Sequence, residues 1–191
     1  FKGYDTKSVS LTKESAAVFL WKKGEAMFKE GDFIIYGSNG VCQVEHIGSM
    51  DLQGVPGDKM YYTLVPVYEE KSRLFTPVDN HKVVMRPVIS KKEACELIDH
   101  MQEMQVFEIQ NEKNRDTVFK EALKTGDCEE LVRVIKTIYE KKQERKAQGK
   151  KVTAGDERYF KLAEEHLYGE LAIALGIEKD KVSSYIEKRI A

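Results

Sequence analysis

The first half of the chain alternates short apolar runs with turn residues, a pattern typical of β-strands. Phe33–Tyr36 is β-branched and aromatic, and the Gly-Ser-Asn-Gly sequence after it predicts a tight turn. Residues 50–58 contain two glycines and a proline and are predicted to form a loop or hairpin tip. Short strands spaced by turns favour a small, strongly bent barrel. The predicted strands are 33–36, 41–47, 60–68, 72–78 and 81–86.

The second half changes to helical periodicity. All four prolines precede residue 88, and proline interrupts helices. Ser90 with Glu93 forms a capping-box sequence, and Asp127 and Thr153 are further predicted N-caps. Gly169 lies inside a predicted helix, where close approach of a second helix would explain it. The predicted helices are 91–104, 115–124, 128–147, 154–173 and a short one around 182–186. We therefore expect an α+β protein with a β-barrel followed by an all-α half, divided near Pro87.

Residues 1–26 precede this pattern. Within them, 10–23 has the features of a helix, and Met27 suits a native start better than Phe1 does. Two interpretations stay open. The segment is either an appended, non-native leader or a true extension whose Phe19, Leu20 and Trp21 pack on a neighbouring protein.

Composition narrows the class of protein. Charged residues make up 33% of the chain, hydrophobic residues 41%, and the net charge is −1, as in an ordinary soluble protein. No apolar run approaches the length of a membrane span. Three cysteines without CxxC spacing indicate reduced thiols, so we expect a cytoplasmic protein. His46 and His81 have no companions at metal-ligand spacing, so no metal or cofactor is expected.

The stretch F-K-x-G-D-x-I-I-Y-x-x-x-G-x-x-x-V-x-x-I, which begins at Phe28, resembles the start of CarD-type bacterial transcription regulators. It also resembles the polymerase-binding module of transcription-repair coupling factors. The resemblance implies a Tudor-like barrel over residues 27–88 that docks on the β subunit of RNA polymerase.

A second resemblance separates these two relatives. Residues 123–139, 153–158 and 167–175 are similar to the C-terminal helices of CarD proteins, and no helicase motif of a coupling factor occurs. The resemblance implies that residues 89–191 form a helical domain that contacts promoter DNA beside the polymerase and stabilises the opened complex.

Two segments of the helical half favour contact with DNA phosphates. One is the 111–115 segment, with Asn111, Lys113, Asn114 and Arg115 at a predicted helix start. The other is the 141–151 cation group, in which six cations accompany one acid, Glu144. A solvated helix end is the alternative interpretation of these cations. The members of the 141–151 cation group are Lys141, Lys142, Arg145, Lys146, Lys150 and Lys151.

The chain departs from its relatives at both expected interfaces. Where well-known CarD proteins carry a tryptophan that wedges into the minor groove, this chain has Glu112, and a carboxylate cannot act as an apolar wedge. Arginines that some members present to polymerase correspond here to Met50 and Phe75, with Arg73 the nearest cation. The predicted polymerase-binding residues are Met50, Tyr62, Arg73 and Phe75.

The sequence thus predicts a transcription regulator that is not an enzyme. It would bind the polymerase β subunit through the barrel and promoter DNA, mainly its backbone, through the helices. The alternative is a protein-interaction adaptor without DNA binding. An enzyme is disfavoured because no acid/base pair, nucleophile or metal set is visible in the sequence.

Overall fold

A computed structural model describes residues 28–49, 59–69, 72–109 and 111–190. The predicted helix at 10–23, the predicted loop at 50–58 and the predicted contact Met50 lie outside the described residues. Within them the chain forms a sheet followed by helices, so the α+β class is confirmed.

The N-terminal part is a five-stranded antiparallel sheet. Its spatial order is β4-β3-β2-β1-β5, so β4 and β5 stand at opposite ends, and closure into a barrel remains a prediction. The strands are β1 (Phe33–Tyr36), β2 (Val41–Ser49), β3 (Met60–Pro66), β4 (Leu74–Pro77) and β5 (Met85–Pro87). The fifth strand is shorter than the predicted 81–86, since residues 81–84 pair with no strand among the described residues.

Alternation along the strands divides this sheet into two faces. One face forms the sheet-domain core, where Tyr62 and Leu64 are fully buried. The Tyr62 hydroxyl accepts a hydrogen bond from the Phe28 backbone N–H at 3.1 Å. The buried members of this core are Phe28, Ile34, Cys42, Val44, Tyr62 and Leu64.

The C-terminal part contains five α-helices whose starts follow the predicted caps. Ser90 and Glu93 make both bonds of the capping box. The Asp127 side chain accepts from two backbone amides, and Thr153 accepts from the Asp156 amide. A 3-10 turn, Glu112–Asn114, leads into the second helix. The helices are α1 (Lys91–His100), α2 (Arg115–Thr125), α3 (Cys128–Ala147), α4 (Ala154–Leu175) and α5 (Val182–Ile190). Helix α1 ends at His100, before the predicted end at residue 104.

The helices share one apolar core. Facing side chains of α3 and α4 supply most of it, and Phe119 of α2 meets the Tyr159 ring edge-on with 5.6 Å between ring centroids. Met101 and Met104 pack against this core. None of the helices in the described ranges is long and apolar enough to cross a membrane.

The helical domain covers part of the second face of the sheet. Gly126, at the end of α2, has a φ of +60°, and an added Cβ would lie only 2.8 Å from Ile35 of β1. Gly169 of α4 is approached in the same way by the ring of Tyr68, at 2.8 Å. The prediction that a second helix approaches Gly169 is therefore wrong, because the close neighbour is an aromatic side chain of the sheet domain.

Candidate functional site

The part of the second face that the helical domain leaves uncovered carries a shallow groove that ends beside β4. Phe33, Gln43 and Val65 follow one another across neighbouring strands, and Arg73 completes the row. The volume of the groove is about 430 Å³. Phe33 is 37% exposed, so a large apolar ring lies open on this face. We call the groove together with strand β4 the sheet docking face.

Phe75 is the most exposed apolar side chain of that face. It pairs with Thr63 of β3, which places its ring on the groove side of the sheet, and it is 51% exposed. In the described residues β4 pairs only with β3, so its other backbone edge is unpaired. An unpaired edge beside exposed apolar rings suits an added strand from a partner.

Arg73 is held by an ion pair within the same face. Its Nε and Nη2 atoms donate to the two carboxylate oxygens of Glu45 at 2.7 and 2.8 Å. The hydrogen bonds from Arg73 lower the pKa of Glu45, so that carboxylate stays ionised and balances the guanidinium. Arg73 is thus a compensated cation, and the apolar rings are the distinctive part of this face.

Tyr62 differs from the other predicted contacts. Its side chain is fully buried in the sheet-domain core, so it offers no surface to a partner and supports β3 from beneath. Phe33, by contrast, is an exposed residue of this face that was not predicted from the sequence. All four residues of β1 are apolar, so their pattern alone does not show which side chains point outward; the alternating residue Gln43 on β2 was the available signal.

The two DNA-contact segments predicted from the sequence lead into α2 and α4, and the starts of these two helices are in contact. Arg115 Nη2 lies 3.2 Å from Asp156 Oδ1, and the Tyr159 hydroxyl donates to Asp116. Since Asp156 is bound to the cap residue Thr153, these contacts fix the two helix starts side by side. We call the exposed residues around them the helix-start patch.

The 141–151 cation group occupies the end of α3 and the loop that leads to the start of α4. Arg145 Nε donates to the Lys151 carbonyl at 2.8 Å, which folds the loop back on the end of α3. Lys150 Nζ donates to Gln148 at 3.0 Å, and Lys142 lies 6.0 Å from the centroid of the Phe160 ring. The exposed lysines of the patch are Lys113, Lys142, Lys146, Lys150 and Lys151, whereas Lys141 is half-buried.

Several residues of the 111–115 segment serve the local fold. The Asn111 side chain accepts from the Lys113 amide at 3.0 Å, and its carbonyl accepts from the Asn114 amide. The Arg115 side chain is only 17% exposed and is paired with Asp156, which is 2% exposed. Arg115 is therefore a structural cation rather than a solvent-facing one. Glu112 opens the 3-10 turn directly before α2.

No metal centre is assembled in the part of the chain that the structure describes, where no three His, Cys, Asp or Glu side chains come together. His46 binds the Glu30 carboxylate through Nδ1 at 2.7 Å on the surface. The described cysteines, Cys42, Cys95 and Cys128, are free thiols.

Comparison with known families matches both halves. Residues 28–89 match the CarD-like/TRCF RID domain, and residues 96–187 match the CarD C-terminal domain. These domains characterise transcription-associated proteins that interact with RNA polymerase and act by regulation and interaction. With both domains present in this order, the chain belongs to the CarD family.

Proposed function

We propose that the protein binds the β subunit of RNA polymerase through the sheet docking face. The observation that carries this proposal is β4, which presents Phe75 and, among the described residues, is paired on one edge alone, within a polymerase-interacting domain. A strand of the β subunit would extend the sheet at β4, and Phe75 would contact it. The sheet is, in this proposal, the Tudor-like barrel of the family.

The helix-start patch would contact promoter DNA. Backbone phosphates suit it, because exposed lysines lie beside two helix N-termini and the positive end of each helix dipole favours anions. Asp116 and Glu157 in the first turns offset part of this attraction, so we expect moderate affinity with little sequence preference.

Bound to both partners, the protein would favour the opened promoter complex without performing catalysis. Such a factor acts through different affinities for the closed and opened states, and about 1–2 kcal/mol changes occupancy several-fold. Because Glu112 stands where relatives carry an apolar wedge, stabilisation would come from phosphate contacts rather than from an unstacked base step.

The adaptor alternative has one specific observation in its favour. Arg115, a cation expected to face phosphate, is instead buried against Asp156. Binding of a fluorescent promoter duplex at low salt separates the two functions. The proposal expects saturable binding that weakens steeply with salt, whereas an adaptor would show no binding to the duplex.

A further inference from the structure

A single charged network joins the two domains at a buried junction. Glu170 of α4 is 1% exposed, and its carboxylate accepts two hydrogen bonds from Arg86 of β5, at 2.5 and 2.7 Å. The same carboxylate accepts from the Ile89 backbone N–H at 3.0 Å and from the Cys128 thiol at 3.1 Å. One carboxylate therefore holds the last strand, the connection between domains and the start of α3.

Arg86 completes the network from the other side. Besides Glu170, its guanidinium donates to the carbonyl of Gly126 at the end of α2 and to that of Pro87 at 3.1 Å. Burial, with the nearby Glu170 charge, raises the pKa of Cys128 well above its ordinary value, so the thiol keeps the proton that it donates. Both carboxylate oxygens of Glu170 therefore accept hydrogen bonds, from Arg86, Ile89 and Cys128.

A second contact lies beside the network. The Tyr68 hydroxyl donates to the Gly169 carbonyl at 3.0 Å, one residue from Glu170. Lys179 of the helical domain lies 4.4 Å above the Tyr68 ring. Tyr68 follows β3 and does not line the groove, so these contacts leave the sheet docking face open.

The covalent connection alone would not fix how the domains face each other. Only residues 88–90 separate β5 from α1, and domains joined by a short connection move relative to each other unless their interface holds them. A buried ion pair with a bidentate guanidinium is directional, because both charges lose their partner when the domains rotate.

We propose that Glu170 and Arg86 are positioning residues that set the orientation of the helix-start patch relative to the sheet docking face. This inference rests on the proposed function. The network touches neither surface, so its loss would leave each separate binding event intact. What it would remove is the fixed geometry that lets one molecule engage polymerase and the opened promoter together.

The test compares Glu170→Ala with Glu165→Ala, an exposed carboxylate on the same helix. Spin labels at exposed positions, Lys82→Cys in the sheet domain and Glu140→Cys on α3, report the distance between domains in a Cys95→Ser background. We expect one narrow distance distribution for the parent and for Glu165→Ala, and a broadened or shifted one for Glu170→Ala. A Glu170→Ala distribution equal to that of the parent would overturn the inference.

The functional arm uses polymerase and a promoter. Glu170→Ala should bind the β subunit and duplex DNA like the parent, while shortening the open-complex lifetime by about fivefold or more, a typical coupling between sites. A normal lifetime despite an altered distance distribution would contradict the positioning role.

Tyr68→Phe and Glu170→Gln guard against a folding failure of Glu170→Ala. Tyr68→Phe removes only the hydroxyl bond to Gly169 beside the network, so it should fold and leave the distance distribution close to that of the parent while the ion pair remains. Glu170→Gln keeps the size of the side chain and removes only the charge that pairs with Arg86. It should fold and broaden the distribution, and an unchanged distribution would overturn the inference. If the parent itself fails to bind polymerase, the proposed function fails, and the distance measurement still decides whether Glu170 fixes the domains.

Discussion

Phe75 offers the sharpest test of the sheet docking face. With its side chain 51% exposed, about half of the ring surface is available for burial by a partner. Burying a whole phenylalanine side chain contributes about 1.5–3 kcal/mol, so the exposed half is worth about 1 kcal/mol. Phe75→Ala should therefore weaken binding to the β subunit by roughly fivefold, since 1.4 kcal/mol corresponds to a factor of ten.

Phe75→Glu should weaken binding further. The carboxylate would have to leave water on binding, which adds a desolvation cost to the lost apolar contact. In the free protein the new side chain sits at an exposed edge position, so the sheet should remain folded. The predicted loss is tenfold or more, in the order parent, Phe75→Ala, Phe75→Glu.

Biolayer interferometry with immobilised β subunit measures these affinities, and circular dichroism with thermal melting verifies the fold of each variant. Val84→Glu is the matched control, because Val84 is 43% exposed in the same domain but lies beside β5, at the opposite end of the sheet. A folded Phe75→Glu protein with the affinity of the parent would remove β4 from the interface.

Three further predictions concern the helical domain. Replacing Lys141, Lys142, Arg145 and Lys146 with glutamine should weaken binding to all duplexes alike and flatten the dependence of affinity on salt. Glu112→Trp should lengthen the open-complex lifetime, because an apolar wedge replaces a carboxylate, and decay can be followed with competitor DNA. Burial lowers the pKa of His166 below its ordinary value of 6.5, so below that pH the unfolded chain binds a proton that the folded protein does not. The free energy of unfolding should therefore fall as pH drops through this range, and His166→Gln should flatten the decline.

Each of these predictions has its own control. Lys91→Gln combined with Lys92→Gln replaces exposed lysines at the start of α1 and should keep the salt dependence of the parent. If the variant with glutamine at 141, 142, 145 and 146 also keeps that salt dependence, these cations face solvent and do not contact DNA. If Glu112→Trp folds and binds polymerase normally but does not lengthen the open-complex lifetime, the 3-10 turn does not face the minor groove. Urea unfolding across pH tests His166; the raised pKa of His100 acts in the opposite direction in both proteins and cancels in the comparison. Equal pH dependence in parent and His166→Gln would refute the burial argument.

Local signals in the sequence were sufficient for most of the helical domain. Caps act through bonds within four residues, so Ser90, Asp127 and Thr153 located three helix starts before any tertiary contact was known. The short fifth strand was placed less well, because its pairing with β1 depends on a partner about 50 residues away.

The contacts between domains were beyond the reach of pattern reasoning. Glu170 sits in an apolar helix stretch and Arg86 in a short strand, and nothing local indicates that they meet across 84 positions. The ion pair of Arg115, a predicted DNA contact, was likewise not predictable, because its partner Asp156 lies 41 positions away. The role of a charged residue is known only once its burial and its partner are known. The periodicity of apolar residues, by contrast, shows directly which face of a helix or strand is buried.

The central claim is that the protein ties RNA polymerase to promoter DNA and thereby prolongs the open complex. The most direct test measures open-complex decay after addition of competitor DNA, with no protein, with parent protein at a concentration that just saturates polymerase, and with Phe75→Glu at that same concentration. The parent should lengthen the lifetime several-fold, as expected for 1–2 kcal/mol of differential binding, and Phe75→Glu should lose most of that effect. A lifetime that is the same with and without saturating parent protein would contradict the claim.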